Sequence, residues 1–163
     1  MDNKITWKRI ADHLNGLQSA QVTVEEPAAS YGYRPTWMDG NWAGLRQAML
    51  EGAPWSVVES LKAGLSWSDA SLARFLRISE KTLQRNRLAG NTLSPDAAEK
   101  IIDLAQVLGE GLDTFGEGKR FLSWLTKPSP WFDYDTPESF LFDQLGRRLV
   151  RDAIGRIEHG IFV

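Results

Sequence analysis

The chain has 163 residues, 42% of them hydrophobic, no cysteine and a formal net charge of −2. That length and apolar content predict one large or two small packed domains and exclude a disordered chain; no apolar run approaches the 18 residues of a membrane span. The absence of cysteine excludes disulfides, and the start MDNKITWKRI lacks the apolar run of a signal peptide, so a cytoplasmic protein is expected.

Residues 3–17 carry Ile5, Ile10, Leu14 and Leu17 at helical spacing, closed by Asn15-Gly16. Residues 18–40, with Pro27 and Pro35, read as an arm or linker. Tyr31, Tyr33 and Trp37 within it could contact a partner or cover the main domain. Residues 41–51 form the next expected helix. Pro54 then suits a first helical position, and Val57, Val58 and Leu61 follow before a stop at Gly64. The seven tryptophans are scattered along the chain, as core anchors and interface residues are, rather than grouped in one stacking platform.

Ser66 to Gly90, SWSDASLARFLRISEKTLQRNRLAG, reads as helix, tight turn, helix. Ser66 with Asp69 predicts the first N-terminus as a short capping box. Leu72, Ala73 and Leu76 form its inner side, and Arg77-Ile78 makes the connection. Arg77 stands where such turns usually carry glycine, so a distorted turn is expected. Ser79 is an N-cap for the second helix, which stops at Gly90. With Leu83 placed inward, Lys81 and Arg85 point about 160° away on either side, Gln84 and Thr82 lie at about a quarter turn, and Arg87 lies at about 40°. Arg87 is therefore a poor candidate for a groove contact. From Trp67 to Asn91 there are five basic residues (Arg74, Arg77, Lys81, Arg85, Arg87) and two acidic ones (Asp69, Glu80), a local +3 on an acidic chain. A small Ala73, the Ile78 anchor and Leu83 five residues beyond it match helix-turn-helix spacing, and the positive surface suits phosphate. DNA binding through Ser79, Lys81, Thr82, Gln84 and Arg85 is expected. The competing reading is a helical hairpin with a solvated charged face.

Ser94-Pro95-Asp96 predicts a further helix, with Ile101, Ile102, Ala105 and Leu108 inward and a stop at Gly109. Leu112 and Phe115 allow it to resume among Gly109, Gly111, Gly116 and Gly118. Residues 119–126 (KRFLSWLT) form a short helix, and the prolines of KPSPWFDYDT interrupt the chain. Thr136-Pro137 starts the last helical section, with an apolar stripe of Leu141, Leu145, Leu149, Ile154 and Ile157 that either packs on its own core or makes a homodimer seam. The end, GRIEHGIFV, leaves Ile161, Phe162 and Val163 beyond a helix stop at Gly160, an apolar triplet that calls for burial on its own domain or on a partner.

No enzyme is expected. His13 and His159 are the only histidines and no metal-ligand spacing appears. GEGLDTFGEGK lacks the spacing of a phosphate-binding loop, and Asp133 and Asp135 have no obvious base or metal partner.

The strings SLARFLRISEKTLQRNRLAG, LSPDAAEKIIDLAQVLGEGLDTFG, FLSWLTKPSP and GRIEHGIF resemble the antitoxin family called Xre/MbcA/ParS over about residues 57–163. PWFDYDTP departs from it, where relatives usually have a glycine-containing loop before Thr-Pro. The resemblance implies a non-enzymatic partner of a RES-type, NAD-consuming toxin that needs no cofactor or metal of its own. It also implies promoter repression through the helix-turn-helix, and a C-terminal domain that dimerises and obstructs the toxin's active-site entrance with its tail. Carried over residue by residue, Arg156, Glu158, His159, Gly160, Ile161 and Phe162 match the terminal motif, and Val163 completes the expected toxin-binding end. The whole expectation is an all-α chain: an arm over 1–40, a helix-turn-helix DNA-binding bundle over 41–109 and a small helical toxin-binding and dimerisation domain over 110–163. A free-standing helix-turn-helix repressor with a dimerising or ligand-sensing C-terminal domain is the alternative.

Overall fold

The computed structural model describes residues 42–90 and 92–161. The helix and arm expected over 1–40, and Phe162 and Val163 of the terminal triplet, lie outside the described residues. Within them the chain is helical throughout, with no strand: α1 (Trp42–Glu51), α2 (Trp55–Gly64), α3 (Asp69–Leu76), α4 (Glu80–Ala89), α5 (Pro95–Phe115), α6 (Gly118–Leu125) and α7 (Gln144–Glu158). Two 3-10 turns, Pro130–Phe132 and Pro137–Phe142, join α6 to α7.

The helix-turn-helix forms where its spacing places it, but its first helix starts later than the capping box suggests. Ser66 does not cap α3. It takes a left-handed conformation, φ 55°, and closes α2: its amide donates to Ala63 O at 3.1 Å and the Trp67 amide donates to Lys62 O at 2.9 Å. This paired arrangement is the Schellman motif, and it satisfies carbonyls that a helix end otherwise leaves bare. Ser68 is the actual N-cap of α3, accepting from Ser71 N at 3.1 Å. Pro54 likewise sits one residue outside α2, at the N-cap rather than the first helical position.

The same closure ends α3. Arg77 N donates to Arg74 O at 3.1 Å and Ile78 N to Ala73 O at 3.0 Å, with Arg77 left-handed at φ 59°. The turn therefore keeps regular geometry despite lacking glycine, and the strain sits on one residue instead. A left-handed non-glycine residue costs on the order of 1 kcal/mol. Arg77→Gly is accordingly expected to raise stability by about 1 kcal/mol, read as a shift in urea midpoint, because the exposed side chain contributes no packing that glycine would forfeit. An unchanged or lower midpoint would mean that the turn is not strained.

Helix α5 runs 21 residues, straight through Gly109 and the expected 109/110 boundary, and stops at Gly116 (φ 70°). Gly111 is present for closeness rather than flexibility: a Cβ there would stand 2.2 Å from the Phe121 ring of α6. Glycine at 111 thus lets two helices approach, and a sequence reading that treats glycine as a breaker mistakes contact for a stop.

The last section also divides. Asp143 is extended (φ −133°, ψ 163°) and caps α7 by accepting from Gly146 N at 2.8 Å, so Leu141 belongs to the 3-10 turn and not to the final helix. The inner face of α7 is Gly146, Arg147, Val150, Ala153 and Ile154. Leu145 and Leu149 of the expected stripe point to solvent, 66% and 40% exposed. The reason is register: Leu149 and Ile154 are five residues apart, about 140° around the helix, so the pair faces away from the core that Val150 and Ile154 enter.

One apolar core runs through all these elements. Leu61, Leu72, Phe75, Leu83, Ile101, Leu104, Leu108, Phe121 and Leu125 are its fully buried large side chains. The helix-turn-helix is fastened to the C-terminal elements by Trp67. Its ring stacks on Phe142 (5.0 Å between centroids, 15° between planes), and its Nε1–H donates to Glu138 Oε1 at 2.7 Å. Arg74 lies over the other ring of that pair, 4.4 Å from the Phe142 centroid, and Arg147 reaches from α7 to 5.7 Å from Phe75.

Candidate nucleic-acid interface and C-terminal surface

Ser79 starts α4 by accepting from Thr82 N at 3.1 Å, and the two hydroxyls face each other at 2.9 Å. Leu83 is fully buried and fixes the roll of the helix. Lys81 and Arg85 are consequently exposed, and among the described residues neither makes a side-chain ion pair or hydrogen bond. Thr82 is half-buried. Gln84 is exposed but donates to Asp69 Oδ2 at 2.6 Å, so its amide is held against α3. The five expected residues therefore share one helix, with two free cations at its outer edge and three groups engaged within the protein.

Asp69 is the organising group that sequence reading placed only as a capping acid. Arg87 grips it with two nitrogens, at 2.9 and 3.0 Å, while its Nε reaches Glu59 at 2.8 Å. Lys62 of α2 also pairs with Asp69. Three helices thus meet on one carboxylate. Arg87, at about 40° from Leu83, thus engages its guanidinium with Asp69 and Glu59 within the protein. The local surplus of charge is carried instead by Arg77, Lys81 and Arg85. No spacing in the sequence announces such a cluster, because its members come from residues 59, 62, 69, 84 and 87.

The Arg87 guanidinium, and after it the Lys62 ammonium, hold the Asp69 carboxyl well below the usual carboxylate range. Arg87 is pushed up in turn, chiefly by its hydrogen bonds to Asp69. A depressed carboxyl stabilises the fold above its unfolded pKa, about 3.9, and that contribution fades as pH falls toward the folded value. Asp69→Asn is therefore expected to lower stability at pH 7 by on the order of 2 kcal/mol. It should also flatten the loss of stability between pH 4 and pH 2.5. Urea midpoints at both ends check this, and equal acid slopes in the two proteins would refute it.

Beside this face, Lys100 of α5 reaches Leu76 O at 3.5 Å, at the C-terminal end of α3. Burial, and secondarily the charge of Arg77, pushes its ammonium down.

At the other end of the molecule, α7 closes with a third Schellman motif. Gly160 (φ 70°) donates to Ile157 O at 3.0 Å, and Ile161 N donates to Arg156 O at 2.8 Å. His159 is the exposed C-cap and Glu158 the exposed last helical residue. Ile161 emerges 50% exposed. Arg156 pairs with Asp152 at 3.1 Å and lies 4.3 Å from the ring centroid of Trp131, which is itself exposed. Arg156, Glu158, His159, Gly160 and Ile161 are thus brought together at one end of α7. Trp131 joins them from the 3-10 turn, an association that sequence spacing does not reveal.

No helix among the described residues is long and apolar enough to cross a membrane, and no group of three or more His, Asp or Glu among them could hold a metal ion.

Two family models match the chain in tandem. Residues 45–106 match the antitoxin Xre-like helix-turn-helix domain, and residues 111–160 match the antitoxin Xre/MbcA/ParS C-terminal toxin-binding domain. Two curated relatives are both called antitoxin Xre. One, from Yersinia enterocolitica, is 30% identical over 144 residues, covering 80% of this chain and 97% of the relative. The other, from Photorhabdus laumondii, is 27% identical over 118 residues, covering 72% of this chain and 80% of the relative. The junction between the two matched domains, residues 107–110, falls inside α5.

Proposed function

Because the chain belongs to the Xre/MbcA/ParS antitoxin family, we propose that it neutralises a RES-type, NAD-consuming toxin with its C-terminal tail and represses its own promoter with α4. In this reading Lys81 and Arg85 enter a major groove while Ser79 and Thr82 set the helix start, and Gln84 lines the edge nearest α3. Two copies of the chain place two such helices about one DNA turn apart. The exposed pair Leu145 and Leu149 supports a seam between copies, since large apolar side chains one turn apart on a helix are unusual on a surface that meets only water.

The observation that carries the reading is the end of α7. Its Schellman closure turns the backbone at Gly160 and delivers Ile161, half exposed, to solvent beside Glu158 and His159. An apolar side chain next to a carboxylate suits a partner pocket lined by basic and apolar groups, such as one built for a phosphate-bearing cofactor. Charge pairing of this kind sets partner choice and orientation as well as strength. The antitoxin itself performs no chemistry in this scheme.

The test is toxin NAD turnover in the presence of the full chain and of a chain ending at Arg156. Full inhibition by the intact chain and none by the shortened one is the expected result. Full inhibition by both sinks the tail mechanism. If neither form inhibits the toxin or copurifies with it, the chain is a repressor whose C-terminal helices dimerise or sense a ligand.

A further inference from the structure

Glu80 is the first residue of α4. It is exposed, and among the described residues its carboxylate makes no ion pair or hydrogen bond. In sequence it lies between Arg77 and Lys81, and among the described residues Lys81 and Arg85 of the same helix are free cations. In mid-helix its angle, about 60° from Leu83, would turn it toward the core. At the first position no preceding turn covers it, and the side chain stays open to solvent. The N-terminal residues of a recognition helix are those that meet base edges. A bare carboxylate in that place repels phosphate, so it weakens binding to DNA of any sequence unless it meets a donor. In the major groove the donor matched to a carboxylate is the N4 amino group of cytosine.

We propose that Glu80 is a specificity-determining residue, whose carboxylate accepts a hydrogen bond from cytosine N4 at one position of each operator half-site. The proposal rests on the DNA-binding reading above. It gives this acid a definite role: it lowers affinity for unrelated sequence and restores it only where a cytosine stands. The bland alternative is that an acid in the first turn merely complements the helix dipole. That alternative predicts a small loss of stability and no change in sequence preference.

The two are separated by measuring binding of the full chain, and of Glu80→Ala and Glu80→Gln, to duplex DNA from its own promoter. A random duplex of equal length and single-base variants of the promoter site complete the set. For Glu80→Ala, binding to random DNA should tighten by roughly threefold as a repulsive charge is removed. Discrimination should fall by about tenfold at one cytosine per half-site and nowhere else. Glu80→Gln should move the preference at that position from cytosine to adenine, because an amide presents the donor and acceptor pair that adenine matches. A loss of equal size on every sequence, or an unchanged preference profile, overturns the proposal. Failure of the unsubstituted chain to prefer promoter over random DNA overturns the DNA-binding reading itself, and with it this one.

Discussion

Alanine at position 146 is expected to cost about 3 kcal/mol or more, enough to unfold much of the C-terminal half at modest denaturant. A Cβ at this residue would stand 2.0 Å from the Phe140 carbonyl oxygen and 2.8 Å from its carbon. The obstacle is backbone, so no side chain can swing aside. Nor is that backbone free to retreat. The Phe140 ring packs 4.9 Å from Phe132, and the Gly146 amide is tied to the Asp143 carboxylate that starts α7. Position 155 of the same helix provides the contrast, since nothing lies within 4 Å of a Cβ there. Gly155→Ala should therefore follow helix propensity and stabilise by up to about 1 kcal/mol. Urea titrations of the two variants should move in opposite directions. A similar small shift in both would mean that the 3-10 turn yields easily and that its contact with α7 does not hold the fold.

Position 146 also shows which parts of the fold the sequence discloses. Local signals worked where one segment satisfies its own needs. Ser79 and Gly90 delimit α4, Ser94-Pro95 opens α5, and Leu83 fixes which side of the recognition helix faces out. They failed where a residue answers to something distant. Gly109 and Gly111 look like a helix stop, but the helix runs through both, and Gly111 is small because α6 presses on it through Phe121. Leu141 to Ile157 looks like one stripe, because Asp143 resembles any surface acid until Gly146 is seen beneath it. Ser66 looks like the start of α3 because serine commonly caps helix starts, yet it serves the end of α2. The site divides in the same way. The outward direction of Lys81 and Arg85 follows from periodicity alone, whereas the tie of Gln84 and Arg87 to Asp69 depends on three helices meeting. At the tail, the turn at Gly160 was legible from glycine itself; the stacking of Arg156 on Trp131 was not.

Arg147→Ala is the second substitution with a large expected effect, and it bears on how the two halves act together. Arg147 is buried. Its Nε donates to Asp103 of α5 and its Nη1 to the Leu141 carbonyl at 2.9 Å, with the guanidinium facing the Phe75 ring of α3. Truncation removes both partners' donor and leaves a void beneath the helix-turn-helix. Breaking a buried pair from one side costs about 3–5 kcal/mol, because the stranded group keeps its desolvation penalty. Asp103 retains partial access to water, 30% of its side chain, which places the expected loss at the lower end of that range. Arg147→Met should recover part of it by refilling the space, though it leaves the Leu141 carbonyl without its donor. Arg147→Lys should recover less than its charge suggests, since one ammonium on a flexible stem does not reproduce the two fixed directions of the guanidinium. Arg147 joins α7, α5 and α3 in one contact set, so Arg147→Ala is expected to weaken promoter binding and toxin inhibition together at 37 °C. Lys81→Ala should weaken promoter binding alone. Measuring both activities in both variants decides whether the shared core links the two ends. If Arg147→Ala keeps full toxin inhibition while losing DNA binding, the C-terminal half holds its shape without this contact.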